Sequence, residues 1–267
     1  MVFDPACQYK GVSLNSFLHK GPCLIGNLLG VLLRFREESV DFIGDISKMY
    51  LQIRLPEGDT HVHRYLWRNL DQSKKPTTYA LQRVTFGDKP SPDMASFVML
   101  KMAKENQEDN PNAATVLSRD RYMDDLIHSC PTPKKAVDTI KELDRVLDTG
   151  SFKIKEWLSS SKDVLKELTH ESAMECRREI PNVKSNPGSP VNLDGEKGVK
   201  TLGVGWDPRA DVLSFAVKET KIQKYTKRSI LSNICRLYDP LGLASAVTIK
   251  AKYCTTKHLE IEGVRLG

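Results

Sequence analysis

The stretch that decides the fold is Arg121-Tyr122-Met123-Asp124-Asp125-Leu126-Ile127, an apolar-flanked run interrupted by two adjacent carboxylates. Neighbouring side chains of a β-strand point to opposite faces, so the two aspartates can serve one site only where the backbone turns tightly. The pattern therefore predicts the tip of a β-hairpin. Adjacent anions repel, which favours a shared cation, and a hard divalent ion such as Mg²⁺ prefers oxygen ligands. The alternative is an Asp-Asp turn on a solvated loop.

A third carboxylate follows a second apolar run. Residues 40–46 predict a strand that ends near Asp45, and residues 48–53 predict a single helical turn directly after it. If the hairpin pairs beside this strand, Asp45, Asp124 and Asp125 converge on one edge of a sheet. Two Mg²⁺ ions could then bridge them, one activating an attacking hydroxyl and the other neutralising a leaving phosphate.

The remaining elements alternate between helices and strands without a regular βαβ repeat, which predicts an α+β fold. Helices are predicted at residues 24–35, at 133–147, at 226–238 and from Ser91-Pro92 onward, with Ser91 as the N-cap. Strands are predicted at residues 61–68, 78–84, 118–121, 152–157, 201–206 and 212–217.

The composition narrows the class of protein. The 40 Lys and Arg residues exceed the 34 Asp and Glu residues, which suits a phosphate-rich partner but fits an ordinary basic protein equally well. The six cysteines have no zinc-type spacing, which favours reduced thiols. No signal peptide or membrane-spanning run is present in the sequence, so we expect an intracellular, cytoplasmic protein without a membrane partner.

Several ordered motifs resemble a known family. The successive palm motifs of reverse transcriptases are similar to Asp45-Ile46-x-Lys48-Met49-Tyr50-x-Gln52-Ile53, Phe86-Gly87-x-x-x-Ser91-Pro92 and Tyr122-Met123-Asp124-Asp125. Five further stretches narrow the resemblance to the Pao/BEL group of long-terminal-repeat retrotransposons. They are Gly11-Val12-Ser13-Leu14-Asn15, Lys20-Gly21-Pro22, His63-Arg64-Tyr65-Leu66-Trp67, residues 226–232 and Tyr238-Asp239-Pro240-Leu241-Gly242-Leu243. The resemblance extends over nearly the whole chain.

The resemblance implies the architecture of a right-hand polymerase, with an antiparallel sheet bearing the catalytic hairpin. Partial fingers and palm would occupy residues 1–158, a polar connecting segment residues 159–199, and a primer-grip hairpin with thumb-like helices residues 200–267. The implied activity is RNA-directed DNA synthesis within a retrotransposon polyprotein. The implied partners are an RNA or DNA template with its primer and deoxynucleoside triphosphates, and an active element would place the protein in a virus-like particle.

The resemblance also implies roles for individual residues. Asp45 and Asp124 would be the main ligands of two Mg²⁺ ions, which Mn²⁺ could replace, and Asp125 would complete the set. Tyr50 would exclude a ribose 2′-hydroxyl, although a core aromatic residue has the same spacing. The other implied nucleotide-binding residues are Ile46, Met49, Phe86 and Gly87. The implied primer or template contacts are Met123, Ser91, Pro92, Leu202, Gly203, Lys227 and Arg228, for which ordinary packing or a solvated basic helix face is the alternative.

Two further sets of residues have open interpretations. Lys153 and Lys155 lie where the family places a lysine proposed to protonate the departing pyrophosphate, and a solvated strand edge explains them equally well. His61 and His63 could face one side of a strand, and we expect them to contact solvent or nucleic acid rather than a metal.

The sequence also departs from the family pattern. Residues 118–121 are charged where the family has an apolar strand, Asp88-Lys89-Pro90 is an unusual loop, and the fingers strands expected before Val2 are missing. No protease, RNase H or integrase constellation is apparent. These departures favour the rival interpretation, a truncated and inactive retroelement relic that at most binds nucleic acid. A host-recruited interaction protein is a third possibility without a supporting feature.

Overall fold

The computed structural model of the protein describes residues 3–168, 199–214 and 226–261. The helices are α1 (Leu14–Phe17), α2 (Leu28–Arg34), α3 (Met49–Gln52), α4 (Ser91–Glu105), α5 (Pro111–Arg119), α6 (Pro133–Thr149), α7 (Lys162–Leu168), α8 (Lys227–Ile234) and α9 (Ser245–Ile261), with a 3₁₀ helix at Glu57–His63. The strands are β1 (Val40–Ile46), β2 (Arg64–Trp67), β3 (Thr77–Ala80), β4 (Arg121–Tyr122), β5 (Asp125–Cys130), β6 (Ile154–Ser159), β7 (Val199–Thr201), β8 (Val204–Asp207) and β9 (Val212–Ser214).

A four-stranded sheet in the order β4-β5-β1-β6 organises the molecule, and all its neighbouring strands are antiparallel. Strand β1 is central and almost continuously buried, because the sheet is covered on both faces. The mixed helices and antiparallel sheets agree with the predicted α+β class.

The two faces of this sheet bury different partners. On one face, Phe42 and Leu126 join the main core, which helices α4, α5 and α6 complete. On the other face, Ile43 and Ile127 pack with Trp206 of β8 and with residues of α2. Because Asp45 is two residues beyond Ile43, it lies on the second face, which the helices α4 to α6 leave open.

The predicted strand at residues 118–121 is wrong. Helix α5 continues to Arg119, and β4 comprises only Arg121 and Tyr122. The sequence reading missed this helix although Asn110-Pro111 is a helix start signal. Its N-terminus is also fixed by a distant residue, since the Glu142 carboxylate of α6 accepts hydrogen bonds from the backbone N–H of Asn112 (3.1 Å) and Ala113 (3.2 Å).

The charged residues of this segment are paired rather than disruptive. The fully buried carboxylate of Asp120 forms ion pairs with Arg34 at 2.5 Å and with Arg119, and it contacts His128 Nδ1 at 2.8 Å. Burial lowers the pKa of His128, but Asp120 and Cys130 outweigh burial and raise it to about 9. The segment thus stabilises the edge of the sheet.

The remaining predicted elements differ mainly at their ends. Strands β2 and β3 are shorter than predicted because residues 57–63 form a 3₁₀ helix. The predicted hairpin at residues 201–217 exists as β8 and β9, with β7 as a third strand, and residues 215–217 lie outside the described part. Most of the predicted connecting segment, residues 169–198, also lies outside it.

Candidate active site

The two adjacent aspartates lie at a hairpin, as the sequence predicts. Tyr122 of β4 pairs with Asp125 of β5, which leaves Met123 and Asp124 as a two-residue turn. Met123 has φ +57°, and a positive φ at the first turn position is typical of a type II′ hairpin turn. The carbonyl of Asp124 accepts a 2.8 Å hydrogen bond from the backbone N–H of Ile46, which ties the turn to the end of β1.

The structure brings Asp45 and Asp125 together. They are directly opposite each other in the β1–β5 ladder and therefore project from the same face. Burial raises the pKa of Asp125 to about 7, with further contributions from the charges of Asp124 and Asp45. Burial and Asp124 also raise the pKa of Asp45, whereas Lys155 lowers it. The three carboxylates thus form one electrostatically coupled group.

The chemistry of this group fits a divalent cation. All three side chains offer oxygen ligands, and within the described part of the chain no Lys or Arg forms an ion pair with any of them. The resulting repulsion is what a bound cation would relieve. In their present rotamers, however, no three His, Cys, Asp or Glu side chains of residues 3–168, 199–214 and 226–261 are grouped as metal ligands.

Tyr50 lies beside the carboxylates and is buried, with 8% of its surface exposed. Its ring packs edge-on against Phe86 at a centroid distance of 4.8 Å, and Phe86 itself is 58% exposed. Burial raises the pKa of the Tyr50 hydroxyl, and the nearby Asp124 raises it further. The tyrosine is therefore a core residue that lies within electrostatic reach of Asp124.

Arg121 supports the turn by hydrogen bonds to backbone carbonyls, a role that was not predicted from the sequence. Its buried guanidinium donates to the carbonyl of Met123 (2.8 Å) and to that of Leu117 (3.3 Å). Burial lowers its pKa to about 10, and interaction with Tyr50 opposes that decrease. The sequence shows only a charge beside the turn at Met123 and Asp124, and nothing in it indicates that this side chain points inward.

The loop at Gly87 is held by residues far away in sequence. Gly87 has φ +93°, and a Cβ here would lie 2.9 Å from Pro5 Cδ, so glycine is required. The Asn15 amide donates to the Gly87 carbonyl (2.9 Å) and its oxygen accepts from the Lys89 N–H (2.8 Å). Asn15 belongs to one of the motifs that carry the resemblance, but its role in holding this loop is not apparent from the sequence.

His63 is not at the surface, which corrects the sequence-based expectation. Its Nε2 lies 2.7 Å from the Asp88 carboxylate, and both residues are buried. The Thr85 hydroxyl donates to the same Asp88 oxygen at 2.7 Å. Asp88 is therefore an internal anchor of the loop, whereas His61 is exposed.

Several predicted contact residues are buried. Ile46 and Met49 belong to the main core, so Ile46 presents only its backbone near the turn. Helix α4 begins at Ser91 with Pro90 as the N-cap, so the predicted Ser91 cap is wrong. The Ser91 hydroxyl instead donates to the Thr85 carbonyl at 2.7 Å, and Pro92 occupies the first turn.

The two lysines of the β6 region have different surroundings. Lys153 forms an ion pair with Asp148, which is not one of the three coupled carboxylates. Lys155 acts electrostatically on Asp45 and lowers its pKa. Of the two candidates for proton transfer, the structure associates only Lys155 with the carboxylate group.

The hairpin formed by β7 and β8 packs against the four-stranded sheet. Thr201 pairs with Val204 across Leu202 and Gly203, which have φ +48° and +85°, as a type I′ turn requires. Leu202 packs against the cluster around Trp206. Helix α8 begins at Lys227, and Arg228 on this helix is exposed.

Comparison with known proteins gives a partial relationship. Residues 226–262 match the family model of a Pao retrotransposon-like RNaseH-like domain. This match lies where the sequence resemblance implied thumb-like helices, and residues 226–261 contain helices α8 and α9 without a strand. It supports a relation to retroelement polyproteins for this segment.

A solved structure is also similar. The protease–reverse transcriptase of prototype foamy virus aligns over 53% of this chain with 14% identity and a TM-score of 0.42. The alignment spans only 17% of that viral chain. The comparison with curated proteins found no match.

None of the described helices is long and apolar enough to cross a membrane.

Proposed function

We propose that the protein is part of an RNA-directed DNA polymerase encoded within a retrotransposon polyprotein, with the partial fingers and palm in residues 1–158 and the primer-grip hairpin and thumb-like helices in residues 200–267. In the proposed reaction, the 3′-hydroxyl of a primer attacks the α-phosphate of a deoxynucleoside triphosphate. A new phosphodiester bond forms, and pyrophosphate leaves. An RNA or DNA template would direct the choice of nucleotide.

The observation on which this proposal rests is the convergence of Asp45 and Asp125 across the β1–β5 ladder, with Asp124 in the adjoining turn. These three carboxylates would hold two Mg²⁺ ions, or Mn²⁺ as a substitute. When bound, such ions activate the attacking hydroxyl and neutralise charge on the leaving phosphates.

The protein's own residues would orient the reactants. The Tyr50 ring, fixed by Phe86, would stand where a ribose 2′-hydroxyl would project. Gly87, whose loop is held by a hydrogen bond from the Asn15 side chain, would let the backbone approach the incoming nucleotide. Lys155 would donate a proton to pyrophosphate. The turn at Leu202 and Gly203, with Met123, Pro92, Lys227 and Arg228, would position the primer–template.

A second candidate function is nucleic-acid binding without catalysis. It is favoured by the exposed Arg228 near the start of α8, because such a side chain can contact phosphates without a metal ion or a polymerisation step.

The two functions are separated by primer extension. A labelled DNA primer annealed to an RNA template is incubated with deoxynucleotides and Mg²⁺, using the wild-type chain and Asp124→Asn. Retention of the same duplex on a filter is measured in parallel. We expect extension only by the wild type and similar retention by both. Retention without extension by either protein would favour the binding function, and equal loss of both properties in Asp124→Asn would refute the metal-site assignment.

A further inference from the structure

The ribbon of β2 and β3 presents an aromatic face that the proposed polymerase site does not use. Tyr65 pairs with Tyr79 in the antiparallel register, and their rings stack at 5.6 Å with an interplanar angle of 21°. Trp67 is two residues beyond Tyr65 on the same strand and therefore on the same face. Trp67 and Tyr79 are 43% and 46% exposed.

These aromatic rings line a defined surface pocket rather than a scattered patch. An open surface cavity of about 420 Å³ is lined by Tyr65, Trp67, Asn69 and Tyr79. The Trp67 indole N–H donates to the Asn69 side-chain oxygen at 2.6 Å, and Phe3 packs edge-on against Tyr65 at 6.2 Å. Both contacts hold the rings in place before any ligand arrives, which lowers the entropy lost on binding.

The charge of the ribbon indicates what kind of ligand the aromatic face would bind. The ribbon and its connection, residues 64–80, contain Arg64, Arg68, Lys74 and Lys75 but only one acidic residue, Asp71. All four basic side chains are exposed, and Lys74 is paired with Asp71. Exposed flat aromatic rings on a ribbon rich in basic residues match a chain of bases joined by phosphates.

We propose that this aromatic face binds unpaired nucleotides of a single-stranded nucleic acid, with bases stacking on Trp67 and Tyr79 and phosphates near Arg68 and Lys75. Bases within a duplex are already stacked and paired, so the face selects single strands. This binding requires neither a metal ion nor polymerisation, and it can hold whether or not the proposed catalytic function is correct.

The native tryptophans provide a direct probe of this site. Trp157 and Trp206 are buried, with 6% and 0% of their surfaces exposed, so a ligand stacking on Trp67 changes the fluorescence of the accessible indole. The full chain is titrated in EDTA with an oligothymidylate of about 12 nucleotides, a length within the usual site size. An abasic oligonucleotide with the same number of phosphates is the matched ligand. We expect saturable quenching by the first and little by the second.

Variants locate the binding face. Tyr79→Ala removes one stacking ring. We expect it to bind a labelled oligothymidylate roughly 5- to 150-fold more weakly than the wild type, as measured by fluorescence anisotropy. Tyr79→Phe keeps the ring and should bind like wild type. Leu66→Ala is the control, because Leu66 is 67% exposed on the opposite face of the same strand.

Equal quenching by the abasic oligonucleotide would overturn the proposal, because phosphates alone would then explain binding. Anisotropy that reports binding without any fluorescence change would also overturn it. Quenching by a proline-rich peptide but not by the oligothymidylate would assign the face to a protein partner instead. The wild-type titrations decide these outcomes even if Tyr79→Ala fails to fold.

Discussion

Asp45 of β1 lies directly opposite Asp125 of β5, so two carboxylates face each other across neighbouring strands of the central sheet. Like charges in this position destabilise a sheet. Burial adds to the free-energy cost of keeping Asp125 charged, and it raises the pKa of Asp125 to about 7. An arrangement of this kind is typical of a functional site rather than of a stabilising one.

Tyr50 tests the nucleotide side of the proposal. Replacing the ring in Tyr50→Ala would open the space that we assign to sugar discrimination, so we expect incorporation of ribonucleotides to rise relative to deoxynucleotides. Single-nucleotide incorporation with both triphosphates measures the ratio. Tyr50→Phe is the matched control and should keep the wild-type preference. Unchanged discrimination in Tyr50→Ala would show that Tyr50 is only a core residue.

Arg121 tests how the turn at Met123 and Asp124 is supported. Its replacement in Arg121→Met leaves the carbonyls of Met123 and Leu117 without their charged donor. We expect the free energy of unfolding to fall by about 1.5–3 kcal/mol, the usual contribution of a hydrogen bond to a charged group. Urea denaturation measures it.

The control for this prediction is Arg119→Met, because the Arg119 side chain is half exposed and Asp120, its buried partner, keeps its contacts with Arg34 and His128. Its loss should cost less than about 1 kcal/mol. Equal stability of the two variants would contradict the supporting role of Arg121.

Asp41 tests the anchoring of the β8–β9 hairpin. Arg36 donates to the fully buried carboxylate of Asp41 at 2.7 Å and also pairs with Asp211 in the turn after β8. Burial raises the pKa of Asp41 to about 8, and Asp211 adds to the increase, while Arg36 opposes it. The hairpin is thus held by two carboxylates that share one cation.

This arrangement gives a defined dependence of stability on pH. The folded state binds the Asp41 proton more tightly than the unfolded chain does, so between about pH 4 and pH 8 it holds more protons. Its stability therefore falls as the pH rises through this range. The side chain of Asp41→Asn cannot lose a proton, so the melting temperature of this variant should decline less than that of the wild type between about pH 4 and about pH 8. Parallel declines in the two proteins would contradict the assignment.

Gly203 tests the two-residue turn between β7 and β8. A Cβ at this position would lie 2.6 Å from the Tyr238 ring, and its φ of +85° is unfavourable for other residues. Gly203→Ala should therefore lower the melting temperature, whereas Gly58→Ala, where a Cβ meets nothing within 4 Å, should change it little. In the double variant Gly203→Ala/Tyr238→Ala, the clash is removed but the backbone strain remains, so we expect partial recovery. Full recovery would show that backbone strain contributes nothing.

The sequence predicted those parts of the molecule that depend on local pattern. The limits of β1 and the turn at Met123 and Asp124 follow from an apolar run that ends at carboxylates. Helix α6 has a regular apolar spacing, and it was predicted with an error of two residues at its end. These signals are local, so one sequence is enough to show them.

The parts that were missed depend on contacts between distant residues. The charges of Asp120 and Arg121 seemed harmful because their partners, Arg34 and the Met123 carbonyl, could not be identified from spacing. His63 was assigned to the surface because Asp88 lies 25 positions away. The same limit applies to Asn15, which bridges to the Gly87 loop across 72 positions.

The most direct test of the central claim is a count of divalent ions held by the three carboxylates. The protein is mixed with primer–template whose primer ends in a dideoxynucleotide, with the next deoxynucleotide, and bound Mn²⁺ is measured by electron paramagnetic resonance. We predict two ions per ternary complex in the wild type, fewer in Asp45→Asn and Asp124→Asn, and two in Asp138→Asn, which changes an exposed carboxylate of α6. Equal Mn²⁺ binding in all four proteins would contradict the account.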